Sequence, residues 1–237
     1  MQHSKNAVTR KVSSTNSRGR PSRQKQVSKE NGFFGTFVLE DVQLLNTINR
    51  YVEDLKEGKQ PDVLARGSRA FFEVGDGSAL KPSLAAVVDL ARQKIGFPVK
   101  ETTIYADAAG VSIAPPDSCR SNSWTSGNTH RDFLDVEQPG VYSFLLCLDE
   151  MTADNGCILF WPGSKKCESV PKKRSRGVQR LKLKSEVLLG KKGTVFVFDA
   201  RLVHKPLPNK TQKARTLLGW QVSKSTVFLE SQNKEEK

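Results

Sequence analysis

The segment NTHRDF at residues 128–133 contains a histidine and an aspartate two residues apart, His130 and Asp132. Imidazole and carboxylate groups are common ligands of divalent metal ions in proteins. On an extended segment, side chains two residues apart project to the same face, so both groups can reach one ion. Taken alone, however, the pair is also explained by a solvated surface turn, because chance supplies such a pair in a chain of this composition.

The remaining two of the three histidines help to choose between a turn and a metal site. His3 lies in a polar, basic tail and is set aside, whereas His204 follows the strand-like run GTVFVFDA. Two histidines and one carboxylate form the facial triad that binds non-haem Fe(II) and leaves positions open for a co-substrate and O2. Arg215 opens the next apolar run eleven residues later, and an arginine in such a place can hold a dicarboxylate through a bidentate fork.

Two helical patterns come before the strand-like part of the chain. In GFFGTFVLEDVQLLNTINRYVEDLKEG, apolar residues recur at helical spacing, which predicts an amphipathic helix that ends near Gly58. The recurring residues are Leu44, Leu45, Ile48, Tyr51, Val52 and Leu55. The stretch SLAAVVDLARQKIGF predicts a second helix, with Ser83 as its N-cap and Gly96 as its stop.

From about residue 100 the pattern changes to short strand-like runs between turn residues. The runs are TTIYADA, GVYSFLLCLD, CILFWPG, SEVLLG, GTVFVFDA and RTLLGWQVS. One of the breaks is Asp154-Asn155-Gly156, in which Asn155-Gly156 is most simply a hairpin turn. Two helices followed by six or more short strands predict a mainly β barrel or jelly roll with helical buttresses.

Composition predicts one globular domain with polar extensions. The chain has 237 residues, 37% hydrophobic and 27% charged, which favours a folded domain at 32–230, a disordered basic tail at 1–31 and a polar tail at 231–237. No apolar run is long enough to cross a bilayer, and the N-terminus shows no secretory signal. The four cysteines form no CxxC pair, so we expect reduced thiols in an intracellular protein, cytoplasmic or nuclear. A transit peptide is disfavoured because the tail has a poor apolar face.

The net charge of +13 is concentrated in two segments. Residues 1–30 hold eight Lys and Arg against one acid, and residues 165–192, predicted to be a basic insert, hold eleven against two. The insert could be a solvated loop, a nuclear-import or nucleic-acid patch, or a rim that steers an anionic substrate. Nucleic acid is therefore a possible partner through residues 1–30 and 165–192, and the three interpretations stay open.

The motifs together resemble a known family. HRDF, then NGCILFWPGSKK, then KKGTVFVFDARLVHKPLPNKTQKAR is similar to the signature of the phytanoyl-CoA dioxygenase family of Fe(II)- and 2-oxoglutarate-dependent oxygenases. The resemblance covers about residues 100–224 and, more loosely, the chain from Gly32. It implies a double-stranded β-helix, which is a cupin-like jelly roll, with N-terminal flanking helices.

The same resemblance implies the roles of individual residues. His130, Asp132 and His204 would bind Fe(II), Arg215 would hold the distal carboxylate of 2-oxoglutarate, and O2 would be the second co-substrate. Arg131, between two ligands, is expected to point away from the metal. Related halogenases replace the carboxylate by Ala or Gly to admit chloride, so an intact aspartate favours hydroxylation.

The chain also departs from the family pattern. Pro-Gly-Ser is often followed by histidine, but here by Lys165-Lys166, and Pro206 stands where a small polar residue is frequent. Pro206 weakens the carry-over of secondary contacts with 2-oxoglutarate. Residues 165–186 are more basic than a typical loop of the family, so the resemblance does not identify the substrate. The leading hypothesis is a hydroxylase that releases succinate and CO2 and acts on an unidentified, anionic small molecule. The alternatives are a nucleic-acid-directed oxygenase and a catalytically silent cupin-like binding module that uses the basic tail and loop.

Overall fold

A computed structural model describes residues 31–59, 63–64, 71–74, 79–100, 102–114, 129–132, 140–166 and 183–224. Within these ranges the chain forms two α-helices and ten β-strands. In chain order they are β1 (Phe33–Val38), α1 (Val42–Lys56), β2 (Val63–Leu64), β3 (Phe71–Val74), α2 (Lys81–Ile95), β4 (Thr102–Ala114), β5 (Val141–Cys147), β6 (Ile158–Phe160), β7 (Glu186–Leu188), β8 (Thr194–Asp199), β9 (His204–Pro206) and β10 (Arg215–Lys224).

The strands form two antiparallel sheets. The large sheet has the order β1, β8, β5, β10, β4, β3, β2, and the small sheet has the order β7, β6, β9. After β5 the chain passes repeatedly between the sheets, because β6, β7 and β9 lie in the small sheet and β8 and β10 in the large one. This is the cupin-like jelly roll, so the predicted mainly β fold class is confirmed, and all six predicted strand-like runs contain strands.

Helix α1 covers the large sheet and follows the predicted pattern. The side chain of Asp41 caps its first turn by accepting a hydrogen bond of 2.9 Å from the backbone N–H of Leu44. The buried residues of α1 are Ile48, Tyr51, Val52 and Leu55, and all four belong to the predicted apolar face. The helix ends at Lys56, two residues before the predicted stop.

Helix α2 was predicted correctly at its end and wrongly at its start. Ser83 is not the N-cap, because the helix begins at Lys81 and Leu80 occupies the cap position without a side-chain hydrogen bond. The proline at position 82 explains the earlier start, since a proline in the first turn has the helical φ already set and lacks only an N–H that would stay unpaired there. Gly96 ends the helix in the left-handed conformation (φ 60°, ψ 44°), as predicted.

The core lies in two layers on the two faces of the large sheet. On β8, Val195 and Val197 belong to the layer under the helices, whereas Phe196 and Phe198 belong to the layer between the sheets. Every residue of β8 is buried, because helices cover one face of the strand and the small sheet covers the other. The central strands are thus held from both sides.

The interpretation of Asn155-Gly156 as a hairpin turn was wrong. The strands on either side belong to different sheets, since β5 pairs with β8 and β10 while β6 pairs with β7 and β9. The Asn155 side chain accepts a hydrogen bond from the backbone N–H of Thr152 (2.7 Å) and donates one to the carbonyl of Glu150 (2.6 Å). These bonds satisfy backbone groups of a crossover between the sheets.

Several predictions concern residues outside the described ranges. They include the basic tail at 1–30, residues 167–182 of the basic insert, and two of the four cysteines. Cys147 and Cys157 are described, and both are buried free cysteines. No helix in the described part of the chain has the length and apolar character needed to span a membrane.

We expect Trp220→Ala to be among the most destabilising single changes. Trp220 is 1% exposed and stacks on Phe144 with ring centroids 5.2 Å apart, so truncation leaves a cavity under the helices. Urea unfolding should show a loss of about 3–5 kcal/mol in the free energy of unfolding. Leu189→Ala is the control, because Leu189 is 48% exposed and its removal should cost less than about 0.5 kcal/mol. Equal losses in the two variants would contradict this account of the core.

Candidate active site

His130 and His204 are brought together by the backbone. The N–H of His130 donates to the carbonyl of His204, and the N–H of His204 donates to the carbonyl of His130, each over 2.9 Å. The segment 129–132 thereby lies beside β9 as one further antiparallel rung of the small sheet. Two regions that are distant in sequence now present their side chains at one place.

Asp132 completes a cluster of three potential metal ligands. Its Oδ1 lies 3.3 Å from Nε2 of His204 and 3.6 Å from Nε2 of His130. One donor atom from each residue can be chosen so that all three lie within 4.8 Å of one another, and the imidazole centroids are 4.2 Å apart. Donors bound to one ion at about 2.0–2.2 Å lie about 3 Å apart, so only small adjustments separate this arrangement from a bound state.

A backbone carbonyl holds one ring nitrogen of His204 and leaves the other facing the cluster. Nδ1 lies 3.1 Å from the carbonyl oxygen of Leu202, which can only accept, so Nδ1 donates there and Nε2, which faces Asp132, is the nitrogen available to a metal. The side chain of His204 is 6% exposed, whereas that of His130 is 44% exposed. The cluster is therefore closed on the side of β9 and open on the side of His130.

The electrostatics of the cluster favour a charged carboxylate. Burial on its own would raise the pKa of Asp132, but the nearby imidazole of His204, with His130 and the Ser143 hydroxyl, outweighs it and lowers this pKa to about 2. Burial also works against a protonated His204, yet the charge of Asp132 and its hydrogen bond raise the pKa of His204 above its ordinary value. The site thus holds an anionic oxygen between two imidazoles at neutral pH.

Two residues that sequence reasoning missed contact Asp132. The hydroxyl of Ser143 donates to Oδ2 over 2.6 Å, and the side-chain amide of Gln221 donates to the backbone carbonyl over 3.1 Å. Both lie on strands that were predicted, β5 and β10. Their role depends on which residues of distant strands become neighbours, and no local pattern carries that information.

Arg131 ties the ligand segment to the Pro-Gly-Ser turn. It is 5% exposed, and its Nη2 donates to the backbone carbonyl of Ser164 over 2.9 Å. The Ser164 hydroxyl in turn accepts a hydrogen bond of 2.8 Å from the backbone N–H of Val203, the residue before His204. The side chain of Arg131 thus points to the opposite face from its neighbours His130 and Asp132, as on an extended segment. Ser164 links the two stretches that carry the cluster.

Arg215 is a buried cation with unused donors. It is 1% exposed, its Nη2 donates to the carbonyl of Gly156 over 2.7 Å, and its buried Nε and Nη1 have no hydrogen-bond partner among the described residues. Burial lowers its pKa to about 10, so the side chain stays charged at neutral pH. Burying a cation with unused donors is costly, and a carboxylate could accept from these donors. Arg215 thus fits an anionic group of a ligand, which is the role the resemblance implied.

The comparisons with known proteins agree with this geometry. The model of the phytanoyl-CoA dioxygenase (PhyH) family matches residues 48–217, a range that includes all three residues of the cluster and Arg215. No curated protein sequence matches the chain significantly.

Solved structures with a similar fold include three proteins of low sequence identity to this chain. EctD from S. alaskensis, solved with 2-oxoglutarate and 5-hydroxyectoine, has a TM-score of 0.63 at 21% identity, over 91% of this chain and 80% of that one. AviO1 from Streptomyces viridochromogenes Tue57 has a TM-score of 0.56 at 20% identity, over 83% and 91%.

The third is the epimerase SnoN from nogalamycin biosynthesis, solved with Fe3+, alpha-ketoglutarate and nogalamycin RO. In that complex it has a TM-score of 0.60 at 15% identity, over 84% of this chain and 81% of that one. At these identities the likeness establishes the fold. The family model covers more than half of the chain, and the chain therefore belongs to the phytanoyl-CoA dioxygenase family of 2-oxoglutarate-dependent non-haem iron oxygenases.

Proposed function

We propose that this protein hydroxylates a C–H bond of an anionic small molecule, with iron held by His130, Asp132 and His204. The observation that supports this best is the convergence of the three donor atoms within 4.8 Å. Two imidazoles and one carboxylate suit Fe(II) and leave positions for a co-substrate and O2. The intact carboxylate of Asp132 favours hydroxylation over halogenation, which needs a free position for chloride.

Arg215 would hold the distal carboxylate of 2-oxoglutarate. Its unused Nη1 and the second N–H of Nη2 can form a fork to one carboxylate, and the contact of Nη2 with Gly156 keeps the guanidinium in place. When bound, iron and 2-oxoglutarate supply the oxidising chemistry of this class, in which 2-oxoglutarate becomes succinate and CO2 while one oxygen atom enters the substrate.

The chain's own residues supply position and a dry environment. The carbonyl of Leu202 holds the His204 ring, and Phe198 packs edge-on against that ring with centroids 5.4 Å apart. These contacts keep water away from the buried side of the cluster. The exposed side of His130 is the side from which a substrate would approach.

We expect His130→Ala, Asp132→Ala and His204→Ala each to abolish Fe(II)-dependent consumption of 2-oxoglutarate. Loss of one of three ligands should also weaken anaerobic Fe(II) binding by more than about 100-fold. Succinate release and Fe(II) titration measure the two effects, and Asp154→Ala, which removes an exposed carboxylate, is the control. Full turnover and iron binding in Asp132→Ala would show that the ligand assignment is wrong. Iron binding by the wild type without any succinate release would favour a catalytically silent binding module.

Arg215→Lys should chiefly raise the KM for 2-oxoglutarate. Lysine keeps the charge but cannot form the bidentate fork, so we expect a rise of about 10- to 100-fold. Fe(II) binding in the absence of 2-oxoglutarate should stay at the wild-type level, because Arg215 is not a ligand. Lys213→Ala, an exposed cation two residues away, is the matched control. An unchanged KM would contradict the assignment of Arg215.

The anionic character of the substrate is supported by the place where the basic insert begins. Lys165 and Lys166 follow Ser164, whose carbonyl binds the guanidinium of Arg131 between two of the proposed ligands. The insert therefore starts one contact away from the ligand segment. Cations so placed would raise the local concentration of an anion.

We expect anionic candidates to stimulate succinate release more than neutral analogues of the same size. The KM of the best candidate should rise between about 50 and 500 mM salt, because screening shortens the reach of the lysines. Salt-independent kinetics would count against electrostatic recognition. If single-stranded or duplex DNA bound with log K falling linearly against log salt and was also oxidised, the substrate would be a nucleic acid instead.

A further inference from the structure

Three adjacent residues of the large sheet form the floor of the candidate active site. Gln221 on β10 pairs with Ser143 on β5, and Ser143 pairs with Phe198 on β8, so the three form one row across the sheet. We call Gln221, Ser143 and Phe198 the support row. Gln221 and Ser143 both donate to Asp132, and Phe198 packs edge-on against His204.

The contact made by Ser143 selects one oxygen of the carboxylate. A carboxylate accepts hydrogen bonds on both oxygens, and rotation about the last side-chain bond of aspartate is soft, so either oxygen could turn toward a metal. Ser143 binds Oδ2 over 2.6 Å, the short distance of a hydroxyl bound to an ionised carboxylate. Oδ1 is left facing Nε2 of both His130 and His204.

The burial and strand pairing of Ser143 fix the orientation of the Asp132 carboxylate. Ser143 is 2% exposed, so little water is present to replace its hydroxyl at Oδ2. Its strand is hydrogen bonded on both sides, to β10 and to β8, and is covered by the helices on the opposite face. At the other end of the residue, Gln221 holds the backbone carbonyl of Asp132. Asp132 is therefore restrained at two points, its Oδ2 and its backbone carbonyl, by one rigid row.

We propose that Ser143 is a positioning residue that orients Asp132 so that Oδ1 alone is offered to the metal. This inference rests on the proposed function, because it assigns a role within the same metal site. Holding Oδ2 away from the ion prevents the carboxylate from taking up a second position, which the co-substrate and O2 require. Partners of metal ligands typically change metal affinity by about 10- to 100-fold when removed.

The test measures metal binding and does not depend on activity. Metal-free protein is titrated with Co(II) by calorimetry, and the visible absorption bands of the bound Co(II) report its ligand environment. Ser143→Ala should weaken Co(II) binding by about 10- to 100-fold and alter the bands, whereas Ser143→Thr, which keeps a hydroxyl, should restore both. Ser223→Ala is the matched control, since Ser223 is an equally buried serine on the neighbouring strand β10.

The outcomes separate this inference from the proposed function. Wild-type affinity and unchanged bands in Ser143→Ala, in a protein that binds one Co(II), would overturn the role of Ser143 and leave the metal site standing. An equal loss in Ser223→Ala would also overturn it, by showing a general effect of buried hydroxyls. No Co(II) binding by the wild type would overturn the proposed function and the inference with it. If Ser143→Ala does not fold, Ser143→Cys replaces it with the same expectation, because a thiol is a weak donor of similar shape.

Discussion

The candidate site depends on the pair of reciprocal backbone hydrogen bonds between His130 and His204. Each bond is 2.9 Å long, and together they join a short extended segment to the edge of the small sheet. Such a bond contributes only about 1 kcal/mol to stability, but its direction determines which side chains become neighbours. Without this rung, the two imidazoles would belong to separate stretches of chain and no cluster would exist.

The two sheets contribute different parts of the candidate site. The small sheet carries His204 and aligns the segment with His130 and Asp132. The large sheet, buried on both faces at β5 and β8, supplies contacts from behind through Ser143 and Phe198. Placing a site on rigid elements keeps its geometry within the narrow limits that catalysis needs. The helices affect the candidate site only indirectly, because they pack on the opposite face of the large sheet and stiffen it.

Much of this architecture was accessible from the sequence because the signals were local. Helical spacing predicted α1, Gly96 marked the end of α2, and the spacing of the histidines and the aspartate suggested the ligand set. The start of α2 was missed because the preference of serine for caps was weighed above the preference of Pro82 for the first turn. Asn155-Gly156 was misread because a turn signal does not say whether the next strand stays in the same sheet.

The supports of the site could not be predicted, for a physical reason. The register that sets Gln221 beside Ser143 is decided by the whole ladder of β5 and β10, and a slip of one residue would turn both side chains to the opposite face. The alternation of side chains along a strand marks Gln221 and Ser143 only as polar residues in buried strands. Their contact with Asp132 exists only in three dimensions.

Gly156, in the crossover between the sheets, is constrained in two ways at once. Gly156 adopts φ +89°, a conformation that favours glycine, and an added Cβ would lie 3.3 Å from Nη2 of Arg215. Its carbonyl is also the acceptor that holds this guanidinium. One small residue therefore serves the passage between sheets and the orientation of a buried cation at once. Selection on either property would preserve the other, so this position should vary less among relatives than the rest of the turn.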